Sequence, residues 1–313
     1  LKYLDIEVLE EEEMKDIVKK MKIPFYAFDE MHKPIKKEVM QKFDQFFDSN
    51  QFILGQEVRE FEVSFAKYCE TEFCLGVSNG LDALILSLVS LGIGKGDEVI
   101  VPSNTYIATV LSIIHTGAKP VLVEPFIDTY NIDTNKIEKS ITSKTKAIIA
   151  VHLYGQPCDM SSLEKIVNEH KLYLIEDNAQ AQGALWKGRK TGSFGHVNAV
   201  SFYPGKNLGA FGDAGAITSN DKKLKEKIVA LRNYGSSEKY KNKYIGYNNR
   251  LDECQASILN VKLKSLDEWN RKRNEIATFY IENLKEIENL ILPVIDQNAK
   301  SVFHIFCVRT KRR

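Results

Sequence analysis

Apolar positions along this chain follow two alternating rhythms. Short unbroken apolar runs occur at Phe73–Val77, Glu98–Val101, Pro120–Val123, Ala147–Val151, Tyr173–Ile175, Val197–Phe202 and Ala216–Thr218. Runs this short, bounded by polar or turn-forming residues, predict strands buried on both faces. Between them, apolar residues recur at helical spacing over Gln56–Tyr68, Leu81–Leu91, Ile107–His115, Asn135–Ile141, Ser161–His170 and Lys222–Tyr234. The alternation predicts an α/β fold, a mostly parallel sheet covered by helices on both faces. Ligands of such sheets gather at the carboxyl ends of the strands, so the residues just after each strand carry the functional question.

Three regions are expected. Residues 1–22 are acidic and then basic, Glu10–Glu13 followed by Lys19, Lys20 and Lys22, and read as an N-terminal extension. Residues 23–245 form the large domain. A smaller C-terminal domain, 246–313, opens with a helical stretch, Leu251–Trp269, and closes on a strand-like run, Ser301–Val308. It stops at Arg313 without the look of a finished domain, and is expected to be incomplete.

Charge narrows the function classes. Lys and Arg total 43 against 42 Asp and Glu, so no whole-face field is available to recruit nucleic acid or an anionic membrane. No apolar run approaches the length of a membrane span. The cysteines at 69, 74, 158, 254 and 307 contain no CxxC pair, and the six histidines show no metal-binding spacing. Neither a disulfide framework nor a metal site is expected, which suits a reducing cytoplasm.

The chemistry collects after the strands. Ser78-Asn79-Gly80-Leu81-Asp82 leads from the first strand into a helix. Alone, Ser78 or Asn79 reads first as an N-cap, yet the exposed N–H groups of such a terminus also favour a phosphate. Tyr106, after the second strand, is either a half-buried loop tyrosine or a platform for a planar ring. Asp177 follows the fifth strand; a lone carboxylate there usually caps the next element, but a fixed one can keep a pyridine nitrogen protonated. Gln180, three residues on, could hydrogen-bond a ring oxygen. Lys206 stands in Ser201-Phe202-Tyr203-Pro204-Gly205-Lys206-Asn207, ahead of a glycine-rich stretch ending at Gly215. Most lysines only solvate a surface; this one directly follows an apolar strand, among glycines that let a ligand approach the backbone.

Six ordered motifs carry a resemblance: Ser78–Leu84, Gly96–Tyr106, Val151–Gln156, Ile175–Gly183, Ser201–Gly209 and Gly246–Ala256. Over about Ile23 to Arg309 the chain resembles the DegT/DnrJ/EryC1/StrS sugar aminotransferases, which have the fold-type-I pyridoxal-phosphate architecture. The resemblance implies Lys206 as the lysine bearing pyridoxal 5'-phosphate, Asp177 at the pyridine nitrogen, Gln180 near the phenolic oxygen and Tyr106 on the ring. Backbone groups of Gly80, Leu81 and Asp82, with the Ser201 hydroxyl, would hold the phosphate. It further implies a homodimer with shared sites, in which Asn248 and Arg250 serve the partner's site. Gln182 departs from the family, which commonly has histidine there. The family also continues beyond the position of Arg313, and residues 1–22 lack a counterpart in it.

The implied reaction takes an amino group from L-glutamate to a keto-sugar nucleotide. Tyr203, Gly205 and Arg232-Asn233-Tyr234-Gly235-Ser236 resemble members that aminate C3 of a dTDP-3-keto-6-deoxyhexose. Relatives acting at C4 typically have histidine at the position of Tyr203, so Tyr203 is expected to face the sugar, with Arg250 as a further substrate-binding residue. Dehydratase relatives carry histidine in place of the lysine. The alternatives are amination at C4, a non-catalytic pyridoxal-phosphate-binding regulator, and an inactive fragment.

Overall fold

The computed structural model describes residue 24, residues 26–238 and residues 240–311; the extension expected over 1–22 lies outside them. The chain divides into two compact units, residues 1–36 and 37–313. In the first, the helical turn Asp29–His32 stacks the rings of Phe28 and His32 at 5.3 Å.

The second unit is built on a seven-stranded sheet. Its strands are β1 (Phe73–Val77), β2 (Glu98–Pro102), β3 (Lys119–Val123), β4 (Thr145–Val151), β5 (Tyr173–Asp177), β8 (Val197–Ser201) and β9 (Gly215–Ser219). Two short strands, β6 (Leu185–Trp186) and β7 (Arg189–Lys190), form a hairpin outside it. The order is β1-β9-β8-β5-β4-β2-β3. Strands β8, β5, β4, β2 and β3 run parallel, and β9 runs antiparallel to both β8 and β1. Six strands therefore point the same way, and their carboxyl ends share one edge with the start of β9.

The unbroken apolar runs arise because both sheet faces are covered. Successive residues point to opposite faces, and the core divides accordingly. Val99, Val101 and Ile149 join Leu86, Leu88 and Ile113 in one cluster. Ile100, Ile148 and Ala150 join Met160, Leu163 and Ile166 in another. A third centres on Phe61, Phe65 and Phe202, in which the Phe202 ring meets the other two edge-on at 5.3 and 5.1 Å.

All seven expected strands form, each end within two residues of its expected position. Four other segments depart from expectation. Asn135–Ile141 makes two 3-10 turns, Thr134–Lys136 and Glu138–Ser140, because Ile137 alone in that stretch is a buried apolar residue; one anchor does not hold a full helix. The helix from Lys222 stops at Leu231, where Gly235 N–H bonds Ala230 O and Tyr234 adopts φ 58°. Leu251–Trp269 divides into Glu253–Leu263 and Leu266–Leu284, and the second helix runs well past the expected end. Ser301–Val308 is not a strand: Val302 and Ile305 donate to the carbonyls of Gly155 and Tyr154, a turn rather than a sheet edge. Helix Lys36–Ser49 was not anticipated. No described helix is long and apolar enough to cross a membrane.

Candidate active site at the carboxyl edge of the sheet

The lysine turn is set by its backbone. Lys206 N–H donates to Tyr203 O at 2.8 Å, and Ala210 N–H returns to Phe202 O at 2.8 Å. A Cβ on Gly209 would lie 2.2 Å from Pro204 O, so only glycine closes this loop. The turn leaves Lys206 half-buried. Burial lowers its proton affinity, and the Asp177 carboxylate partly offsets that effect.

Asp177, at the end of β5, is buried. Thr109 Oγ1 donates to its Oδ2 at 2.8 Å, and Ala179 N–H donates to Oδ1 at 3.2 Å. Thr105 lies 2.7 Å from Thr109; since the Thr109 proton goes to Asp177, the Thr105 hydroxyl is the donor in that pair. The neighbouring Glu176 points to the opposite face and is fully buried. Burial pushes its pKa up, but bonds from His152 and from the N–H groups of Gly192 and Gly195 outweigh this and leave it lowered. His152 Nδ1 accepts from Cys158 N–H, so its proton resides on Nε2 and faces Glu176 at 2.8 Å.

Beside the lysine turn lies a cradle without side chains. A Cβ on Gly80 would lie 2.6 Å from Ser201 Cβ, and one on Gly215 would lie 2.4 Å from Asn79 O. Asn79 caps helix Gly80–Ser90 by accepting Asp82 N–H at 2.9 Å. The Asp82 carboxylate folds back onto Ser78 Oγ and Asn79 Nδ2. Asp82 N–H is thus engaged, and an anion at this terminus would draw on the Gly80 and Leu81 N–H groups with Ser201 Oγ. Ser201 Oγ also accepts Tyr203 N–H at 3.3 Å.

The structure gathers Gly80, Leu81, Asp82, Ser201, Lys206 and Asp177 at one edge of the sheet. Gln180 joins them: its Oε1 accepts Tyr154 N–H at 2.6 Å, which leaves its NH2 to donate. Tyr106 precedes helix Ile107–His115 and is 71% exposed, and Tyr203 is 50% exposed. Asn248 and Arg250 are tied elsewhere in the same chain. Asn248 bridges Asn233, and Arg250 donates to Asn233 Oδ1 at 3.0 Å with its guanidinium over the Tyr234 ring. Arg232, also expected among the substrate-distinguishing residues, is a buried ion-pair member, held by Glu62 at 2.5 Å and Gly76 O at 2.7 Å. Gln182, the departure from the histidine pattern, donates to Ser201 O at 2.7 Å and so ties the Asp177 loop to the lysine turn.

Sequence reasoning missed Thr109, Asn207, Asn270 and His304. Their one visible signal was polarity inside apolar surroundings, most plainly His304 within Val302-Phe303-His304-Ile305-Phe306.

Comparisons with known proteins identify the family. Residues 33–313 match the model of the DegT/DnrJ/EryC1/StrS aminotransferase family. The chain is 53% identical to the dTDP-3-amino-3,6-dideoxy-alpha-D-galactopyranose transaminase of Aneurinibacillus thermoaerophilus, over 93% of this chain and 80% of that protein. It is 46% identical to the dTDP-3-amino-3,4,6-trideoxy-alpha-D-glucose transaminase of Streptomyces venezuelae, over 93% and 77%. The crystal structure of S. venezuelae DesV in complex with a ketimine intermediate superposes with a TM-score of 0.91 at 46% identity, covering 93% of this chain and 78% of that one.

Proposed function

This chain belongs to the DegT/DnrJ/EryC1/StrS aminotransferase family, and from that premise we propose that it transfers an amino group from L-glutamate to C3 of a dTDP-3-keto-6-deoxyhexose, with pyridoxal 5'-phosphate carried on Lys206. The observation that carries the cofactor assignment is the desolvated Lys206 amine beside the Thr109-fixed Asp177 carboxylate, next to a cradle with no room for a Cβ at Gly80 or Gly215. The donor set fits the group: an amine, a buried carboxylate and a helix terminus suited to phosphate. Bound there, pyridoxal phosphate supplies a carbonyl that exchanges amino groups and a ring that accepts electrons.

The chain's own residues do the rest. Asp177 would hold a proton at the ring nitrogen, and Thr109 and Ala179 N–H keep the carboxylate from turning away. The Gly80 and Leu81 N–H groups and Ser201 Oγ would hold the phosphate, Tyr106 would meet the ring, and the Gln180 NH2 would donate to the phenolic oxygen. Lys206 Nζ, favoured as the neutral amine by burial, takes the proton from Cα of the amino donor. Asn248 and Arg250 serve the site of a partner subunit, and Tyr203 meets the sugar. The five cysteines are free thiols, which suits the cytoplasm as the compartment we assign.

Support for C3 comes from Tyr203 in place of histidine and from the two relatives named as 3-amino-sugar transaminases. The test is NMR of the products formed from glutamate and each keto isomer of a dTDP-6-deoxyhexose. The 3-keto isomer should give the 3-amino sugar with ping-pong kinetics, and the 4-keto isomer should react poorly. Dominant amination at C4 would overturn the regiochemistry and leave the aminotransferase assignment standing.

A further inference from the structure

Two tyrosines in the left-handed backbone region lie together beside Gln180. Tyr130 has φ 63° and Tyr154 φ 60°, and their rings meet edge-on at 5.4 Å. Residues with a side chain rarely adopt this conformation, so such a pair persists only where its surroundings over-determine it. Asn131, buried next to Tyr130, supplies much of that constraint. Its Oδ1 accepts Leu153 N–H at 3.0 Å, and its Nδ2 donates to Gln156 O at 2.9 Å and Pro157 O at 3.0 Å. One amide thus grips the chain on both sides of Tyr154. Val302 and Ile305 N–H donate to the carbonyls of Gly155 and Tyr154 from the C-terminal segment. Gly155, at φ 97°, lets that segment approach, because a Cβ there would lie 2.8 Å from His304 N.

The outcome is an N–H with a fixed direction. Tyr154 N–H donates to Gln180 Oε1 at 2.6 Å, and a backbone N–H can only donate. The Gln180 amide therefore cannot turn over without setting its own NH2 against that N–H. The same loop is registered on the carboxylate, since His152 N–H donates to Asp177 O at 3.2 Å. We propose that Asn131 and Tyr154 are positioning residues, which together lock the Gln180 amide with its NH2 towards the phenolic oxygen of the cofactor. The proposal rests on the assignment of pyridoxal phosphate to Lys206. A donor at that oxygen favours its anionic form. A Gln180 free to turn would present its carbonyl oxygen instead, which favours the protonated form.

The lock is tested by amide hydrogen exchange, followed by NMR of the holoenzyme carrying 15N-labelled tyrosine. The Tyr154 signal is identified by its loss in Tyr154→Phe. Tyr154 N–H should exchange about tenfold more slowly in wild type than in Gln180→Ala, the worth of one hydrogen bond. Equal rates would overturn the proposal. Gln180 is only partly buried, so this comparison does not depend on a core variant folding.

The colour of the bound cofactor reports its phenolic oxygen. The pH of the colour change should rise by about one unit in Gln180→Ala, a tenfold change in proton affinity, and move the same way in Asn131→Ala. The ionisable groups of this edge, Asp177, Lys206, His304 and the Tyr106 and Tyr203 phenols, are the same in each variant, so a difference between variants belongs to the amide. Val58→Ala truncates a buried side chain in a different core cluster. It should lower the melting temperature and leave the colour change in place; a shift equal to that of Asn131→Ala would make Asn131 merely structural and overturn its role. Where Asn131→Ala fails to fold, Asn131→Asp, which keeps the acceptor for Leu153 N–H, takes its place. Borohydride labelling of a lysine other than Lys206 would end the site assignment. Labelling of Lys206, with the colour change unmoved in Gln180→Ala, would end this proposal alone.

Discussion

Gly80 lies so close to Ser201 that a Cβ on the glycine would sit 2.6 Å from the serine Cβ. The contact joins the start of a helix to the end of β8, and the proposed phosphate cradle depends on it. Gly80→Ala must push these two segments apart. Pyridoxal phosphate should then bind at least tenfold more weakly, at a stability loss of about 1–3 kcal/mol from overpacking. Absorbance titration and thermal melting measure the two effects; unchanged affinity would remove the cradle from this position.

Purified protein should be yellow, and borohydride followed by peptide mass spectrometry should place a pyridoxyl group on Lys206. Lys206→Ala should lose both the colour and the activity. A label on any other lysine, with Lys206→Ala still active, would end the assignment.

Shared sites make a prediction about mixtures. Lys206→Ala and Arg250→Ala proteins should each be inactive alone, and mixing them should restore part of the activity. A heterodimer would hold one site with both residues intact. Persistent inactivity after demonstrated subunit exchange would mean that Arg250 serves its own chain, where it already meets Asn233 and Tyr234.

His304 also ties folding to pH. The folded ring takes a proton only near pH 3, whereas an unfolded histidine does so near 6.5. Between those values the unfolded chain binds the extra proton, so stability present at neutral pH is lost as pH falls from 6.5 towards 3. The full loss is at most about 4–5 kcal/mol at the bottom of that window. On acidification wild type should lose stability relative to His304→Gln in denaturant melts; parallel curves would contradict this linkage.

Glu176→Gln tests the buried pair. The carboxylate accepts N–H groups from Gly192, Phe194 and Gly195 as well as the His152 proton. An amide NH2 has nothing to offer several of these donors. Leaving them unmet should cost about 2–4 kcal/mol, read from denaturant midpoints, and a loss below 1 kcal/mol would contradict the network.

The sheet was legible because its strands are covered on both faces, which makes each a continuous apolar run such as Val99-Ile100-Val101. Lys206, Asp177 and Gly80 were legible because they immediately follow such runs. Asn207, Asn270 and His304 were not, since their meaning lies in contacts between residues far apart in the chain. Helix Lys36–Ser49 was missed although Val39, Met40, Phe43, Phe46 and Phe47 recur at helical spacing; of these only Val39 is buried in the fold. The fate of Arg232 is instructive in the other direction. It was read with a substrate-related motif, and the fold spends it on Glu62.

The reversed strand has a consequence for synthesis. In the sheet β1 touches only β9, so Phe73 waits for Ser219 and Val77 for Gly215. At 5–20 residues per second, a ribosome needs on the order of ten seconds or more to make the intervening chain. Throughout that interval β1 presents an apolar strand with neither edge paired, while β2 and β3 already have each other. A nascent chain released before β9 emerges should therefore be sticky through β1, and a chaperone that guards Phe73–Val77 would act before the active site exists.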